Sequence, residues 1–151
     1  MALTRRSLCL AAAMLPLVLG TSFAEAAGDA VKRLAVQVSD KDPATFTKAL
    51  NVVTNFAKNM SASGQMYEIE IVSFNAGVHL LRTDTSPVMG RIKSISESVP
   101  DVTFSACSNT IAGMTKKEGK APPLTKVARV VPAGVRRLME LSAQGYFVIR
   151  P

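Results

Sequence analysis

Residues 32 to 50 read KRLAVQVSDKDPATFTKAL, and the two halves of this stretch ask for different structures. Over 32–38 apolar residues predominate, with Val36 and Val38 alternating around Gln37, which is the pattern of a buried strand. The polar SDKD ends it. Asp42 followed by Pro43 is a helix start, because a capping carboxylate satisfies the first free amides and proline loses nothing at the first helical position. Phe46, Leu50, Val53, Ala57 and Met60 then recur at helical spacing. A strand feeding a helix is the repeating unit of an α/β fold.

The alternation continues along the chain. Gly64 ends the helix, and MYEIEIVSF (66–74) sets Glu68 and Glu70 against Ile69 and Ile71; charges on one face suggest an edge strand. NAGVHLLRTDT (75–85) reads as a loop with one helical turn, and SPVMGRIKSISESV (86–99) as a helix with Val88, Ile92, Ile95 and Val99 on one face. A strand at 102–106 precedes a helix from about Asn109 to Glu118. After the loop GKAPPLTK come a strand at 127–131, a helix over 134–143 and a last strand at 146–149. The expected fold is α/β, a three-layer sandwich with a mostly parallel five-stranded sheet. Right-handed crossovers and an edge-like second strand favour the order 2-1-3-4-5, with the switch point between strands one and three. Ligands bind such sheets at the strand C-terminal ends near the switch, and Cys107 closes strand three.

At 151 residues, 48% hydrophobic and 19% charged, the chain holds one domain and an N-terminal extension. MALTRRSLCLAAAMLPLVLGTSFAEAA has paired arginines, an apolar run from Leu8 to Gly20 broken by Pro16, and small residues ending at Ala26. That is the layout of a secretory signal peptide over 1–26, cleaved after Ala26 or after Ala24, with a single domain over 27–151. The run is short for a membrane span, which needs roughly 20 residues. TRRSLCL (4–10) also fits a twin-arginine signal, leaving general and twin-arginine export both open. The mature chain is then periplasmic, without a stable membrane span.

Processing removes Cys9 and leaves Cys107 alone in a compartment where thiols oxidise, so no internal disulfide forms. An odd cysteine there pairs between molecules, reacts, or lies buried and inert. At a strand-to-helix junction, free amides and the helix dipole favour the thiolate, which is the nucleophile. Ser108 and Asn109 follow it. His79 is the sole histidine, and no Cys-x-x-Cys accompanies it, so no metal site of recognisable spacing is present. Arg82 lies in RTDTS (82–86), a turn and helix cap with a surface ion pair.

The net charge of +7 is uneven. Residues 27–105 carry equal numbers of each sign, whereas eight basic residues from 106 onward face only Glu118 and Glu140. Lys116, Lys117, Lys120, Lys126, Arg129, Arg136 and Arg137 suit small sulfur oxyanions, an acidic partner or anionic lipid. With no Trp, two Tyr and six Phe the chain is poor in stacking groups, which argues against nucleic acid. No G-x-S-x-G elbow, P-loop or G-x-G-x-x-G fingerprint occurs, and SDKDP lacks a flavin phosphate cradle; no cofactor is expected.

LAVQVSDKDPATFTKALNVVTNF, EIEIVSFNAGVHLLRTDTSPV, VTFSACSNTIAGMTKKEG and VVPAGVRRLMELSAQGYFVIRP together resemble the DsrE/DsrF-like family, in its small single-domain branch, over residues 32–151. The resemblance implies a flavodoxin-like fold that assembles into homo-oligomers. In sulfur-relay members a cysteine after the corresponding strand carries a persulfide, and Cys107 matches that position. The implied function is sulfane-sulfur acceptance or relay between a donor and an acceptor protein or a small sulfur anion. A non-catalytic oligomeric module binding a small ligand or partner on the same fold is the alternative. Relay members work in the cytoplasm, whereas this chain carries an export signal. Candidate binding residues are His79, Arg82, Ser108 and Asn109, with His79 carried over as part of GVHLLRTDTSPV and given no role.

Overall fold

The computed structural model describes residues 30–151. The expected leader, its cleavage point and Cys9 lie outside them. Strands β1 (Lys32–Val38), β2 (Tyr67–Ser73), β3 (Val102–Cys107), β4 (Ala128–Val131) and β5 (Phe147–Ile149) form one five-stranded sheet, parallel throughout. Between them lie helices α1 (Pro43–Ala62), α2 (Met89–Ser98), α3 (Ser108–Glu118) and α4 (Gly134–Ala143), with a 3₁₀ helix at Asn75–Leu81. The α/β three-layer class is as the alternation requires.

The strand order is β4-β3-β2-β1-β5, which puts β2 at the centre and β5 beside β1; the expected 2-1-3-4-5 had β2 at an edge. The physical reason is Glu70. Its carboxylate is buried on the strand face that the alternation marked as charged, and three partners neutralise it there. Arg137 donates through Nη2 to Oε2 at 2.7 Å and through Nε to Oε1 at 2.8 Å, Arg129 donates at 3.1 Å, and the Ser105 hydroxyl at 2.6 Å. A charge on a strand signals an edge only if water must solvate it; arginines from elsewhere in the chain do that work here.

The chain steps from β1 to β4 in one direction, so right-handed crossovers lay α1, α2 and α3 on one face of the sheet. That face holds the main core. Phe46, Leu50 and Val53 of α1 and Ile92 and Ile95 of α2 pack on Val36, Ile71 and Phe104, with Ile111 of α3 at the margin. Asp42 caps α1 as expected, accepting from the Ala44 amide at 3.1 Å with Pro43 next to it. Each large apolar side chain so buried stabilises the fold by about 2 kcal/mol.

From β4 the chain reverses to β5, and α4 crosses the opposite face alone. Its apolar strip is thin: Leu138 and Leu141 against Ala35 and Val72. An ion pair clamps its start and hydrogen bonds its finish. Arg137 meets Glu70 near the start, while near the finish Arg33 donates to the Gln144 carbonyl at 3.3 Å and Tyr146 to Glu68 at 2.7 Å. Burial and the Glu68 carboxylate together push the Tyr146 phenol up to about 12.

The segment expected as a loop with one helical turn after β2 has its helical part as a seven-residue 3₁₀ helix that buries Val78, Leu80 and Leu81. It lies so close to the end of β1 that a Cβ on Gly77 would stand 2.1 Å from the Val38 carbonyl oxygen, which reserves the position for glycine. Arg82, expected in a surface ion pair, is 3% exposed. It forks to Asp84 at 2.8 and 2.9 Å and to Glu118 at 2.5 and 2.8 Å, tying this segment to the last turn of α3.

Burial opposes the ionised form of Glu70, but Arg137, Ser105 and Arg129 outweigh it and hold the carboxyl below its ordinary 4.5. A depressed carboxyl contributes stability that is complete above the ordinary value and is lost as pH falls through the folded one. Arg137→Met is therefore expected to cost about 3 kcal/mol in urea unfolding at neutral pH. That deficit is expected to shrink in acid; a deficit independent of pH would assign the loss to packing instead.

Candidate functional site

Adjacent strands whose following helices leave on opposite faces open a crevice at their C-terminal ends. Here those strands are β3 and β4, with α3 and α4 diverging after them, so the crevice lies one strand pair away from the expected position. It is a cleft of about 680 Å³ lined by Phe74 and Asn75 after β2, Cys107, Asn109, Thr110 and Lys117 at and beyond the end of β3, and Ala133, Gly134 and Val135 entering α4. Cys107 lines it and is 5% exposed, so the cleft is the side on which its residual surface lies.

Cys107 occupies the N-cap position of α3, with an extended backbone (φ −72°, ψ 118°). A residue there faces the amides two and three positions on, which belong to Asn109 and Thr110. Sulfur is a weak acceptor and caps neither amide outright. The amides act on it as a field that strengthens when sulfur carries charge. Gly134, at the start of α4, adds a third amide. Neither helix has an acidic residue in its first turn and neither has a side-chain cap, so both positive ends are left to whatever occupies the cleft.

The Thr110 hydroxyl is a fourth donor. Asn75, in a left-handed conformation (φ 49°), donates its amide to Thr110 Oγ1 at 2.9 Å. With one lone pair so engaged, the hydroxyl hydrogen is left for the sulfur. Burial pushes the Cys107 thiol up, but the Thr110 hydroxyl and the amides of Thr110, Gly134 and Asn109 prevail, and the thiol lies below its ordinary value of 9.0. No cationic side chain is needed for this; the site is built from backbone dipoles and one hydroxyl.

The other candidate residues divide. Asn109 lines the cleft beside Cys107. Ser108 starts α3 but does not line it. His79 lies on the 3₁₀ helix with Nδ1 2.8 Å from Thr85 Oγ1, outside the cleft lining; partial burial and the nearby Arg82 and Lys41 charges disfavour its protonation. Arg82 is consumed by its two carboxylates. Thr110, Asn75 and Gly134 were not singled out in the sequence. Thr110 had a readable signal, its place three residues after the cysteine in a helix start, whereas Gly134 and Asn75 reach the site through strand order alone. Among the described residues no group of three His, Cys, Asp or Glu gathers as a metal-ligand set, and no helix is long and apolar enough to cross a membrane.

No family model and no curated protein matches the chain. Among solved structures it is similar to a protein of unknown function, MTH1491, from Methanobacterium thermoautotrophicum. The two share 26% identity and superpose with a TM-score of 0.67, over 80% of this chain and 99% of the other. The likeness supports the α/β architecture.

Removing the hydroxyl while keeping the helix isolates its share of the effect. In Thr110→Val the pH midpoint for alkylation of Cys107 by iodoacetamide is expected to rise by about one unit, the scale of one hydrogen bond to a charged group. An unchanged midpoint would assign the thiolate's stabilisation to the amides alone.

Proposed function

We propose that the protein handles sulfane sulfur, with Cys107 accepting a sulfur atom as a persulfide and passing it on. The observation that carries this reading is the thiol lining a cleft, faced by donors from two helix N-termini and held below its ordinary pKa. In the accepting step the Cys107 thiolate attacks the outer sulfur of a donor persulfide, R–S–SH. A new S–S bond forms, the donor's S–S bond breaks, and R–S⁻ leaves with the electron pair while the proton stays on the transferred sulfur. In the passing step an acceptor thiolate attacks that outer sulfur and Cys107 departs as thiolate. The same donors serve both steps, because each begins or ends with charge on the Cys107 sulfur.

The resemblance to DsrE/DsrF-like proteins supports this chemistry over other uses of a low-pKa thiol, and it extends the proposal to a homo-oligomeric assembly and a donor or acceptor that is a protein or a small sulfur anion. Lys117 on the cleft wall suits an anionic donor. The leader-like first 26 residues support work in the periplasm after export. One observation favours the alternative, a non-catalytic oligomeric module that binds a small ligand or partner: the thiol is 5% exposed, as an inert cysteine would be.

Incubation of the mature protein with a persulfide donor, followed by intact-mass measurement, is expected to show a gain of one sulfur atom that cyanide or a thiol reductant removes. Cys107→Ala is expected to abolish it. A Cys107 that stays unlabelled, in a protein that still binds a ligand in the cleft, would favour the binding module.

A further inference from the structure

The amide of Gly134 belongs to α4, whose apolar seat is narrow, with Leu138 and Leu141 its large buried side chains, both beyond the first turn, so polar contacts must help fix where that turn lies. Glu70 does this from the middle of the sheet. It reaches Arg137, one turn into α4, with two hydrogen bonds, and its oxygens also receive Ser105, two residues before Cys107 on β3, and Arg129, two residues before the end of β4. The strands that frame the cleft and the helix that roofs it thus meet at one carboxylate, 4% exposed. Arg137 is held again by Glu140 at 3.5 Å on its own helix. The fit at the helix start is close: a Cβ on Gly134 would lie 2.7 Å from Phe74 Cβ, so α4 has no room to settle nearer, and its Arg137 anchor opposes movement away.

We propose that Glu70 is a positioning residue for Cys107: by anchoring Arg137 it holds the first turn of α4 over the end of β3 and keeps the Gly134 amide beside the sulfur. The proposal goes beyond the sulfur-transfer reading and rests on it only in taking Cys107 to act as a thiolate. Glu70 does not touch the thiol. The charged groups about it are Arg129 of β4 and Arg137 and Glu140 of α4, while Lys117 of α3 lines the cleft.

A through-space effect and a positioning effect of this carboxylate have opposite signs. Removing a negative charge leaves Arg129 and Arg137 less compensated, which favours the thiolate and lowers the alkylation midpoint. Releasing α4 withdraws an amide and raises it.

The test is the pH dependence of Cys107 alkylation by iodoacetamide in Glu70→Gln, Arg137→Lys and Gly134→Ala, with Leu50→Ala as a control that loosens the opposite face. The midpoint is expected to rise by about one unit in Glu70→Gln, roughly a tenfold loss of thiolate below the midpoint. Gly134→Ala, which pushes the helix off Phe74, is expected to move it in the same direction, whereas Leu50→Ala lowers the melting temperature and leaves the midpoint in place. Should Glu70→Gln fail to fold, Arg137→Lys carries the decision, since it keeps the charge and loses the fork. A midpoint that falls or stays fixed in a folded Glu70→Gln or Arg137→Lys protein would overturn the proposal, as would an equal rise in Leu50→Ala. Because alkylation reads the thiol alone, a protein that never accepts sulfur can still pass or fail this test.

Discussion

A carboxylate buried between a sheet and a single helix is the constraint on which this structure depends. Ionised Glu70 in an apolar interior would be costly by several kcal/mol, and the fold meets that cost with a forked arginine, a second arginine and a hydroxyl. Those partners come from β3, β4 and α4. Satisfying one charge therefore fixes the relative placement of three elements, and those elements are the ones that open the cleft. On the opposite face α1 and α2 are positioned by packing of a broad apolar surface, while α3, which buries no residue, is tied through Glu118 to the buried Arg82.

The thiol shows a competition decided by geometry. Desolvation of a sulfur that is almost fully buried opposes its charge, and in a purely apolar setting it would make Cys107 an inert filler. Several donors at one atom reverse that outcome. Two belong to the helix that the cysteine itself starts, one to a helix that begins 27 residues later in the chain, and one to a hydroxyl held in orientation by the amide of Asn75. Low dielectric around the site strengthens these interactions as well as the penalty they overcome.

The arginine of RTDTS illustrates how burial changes the meaning of a motif. Read as a surface pair it contributes little; at 3% exposure, bridging Asp84 and Glu118, it locks the 3₁₀ segment against α3 and has no donors to spare for a ligand. The same segment hydrogen-bonds the proline-containing loop, through Thr83 to the Pro123 carbonyl and Thr125 to the Leu81 carbonyl. A loop without regular structure is thereby fixed to the 3₁₀ segment, and His79 of that segment meets Thr85.

Periodicity by itself determined the element types here, because alternation and helical spacing are local properties: β1, α1 with its Asp42 cap, β3 ending at Cys107 and α4 from Gly134 were all legible, as was the cysteine's place at a strand end. What only the tertiary structure decided was strand order and everything that follows from it. Glu68 and Glu70 look the same in a strand whether water or arginine neutralises them, and Arg137 lies 67 residues away from its partner. The crevice therefore opens between β3 and β4 and not beside β1, and the groups that complete the site, the Gly134 amide and the Asn75 amide that orients the Thr110 hydroxyl, are brought to it by chain crossings that leave no trace in local sequence.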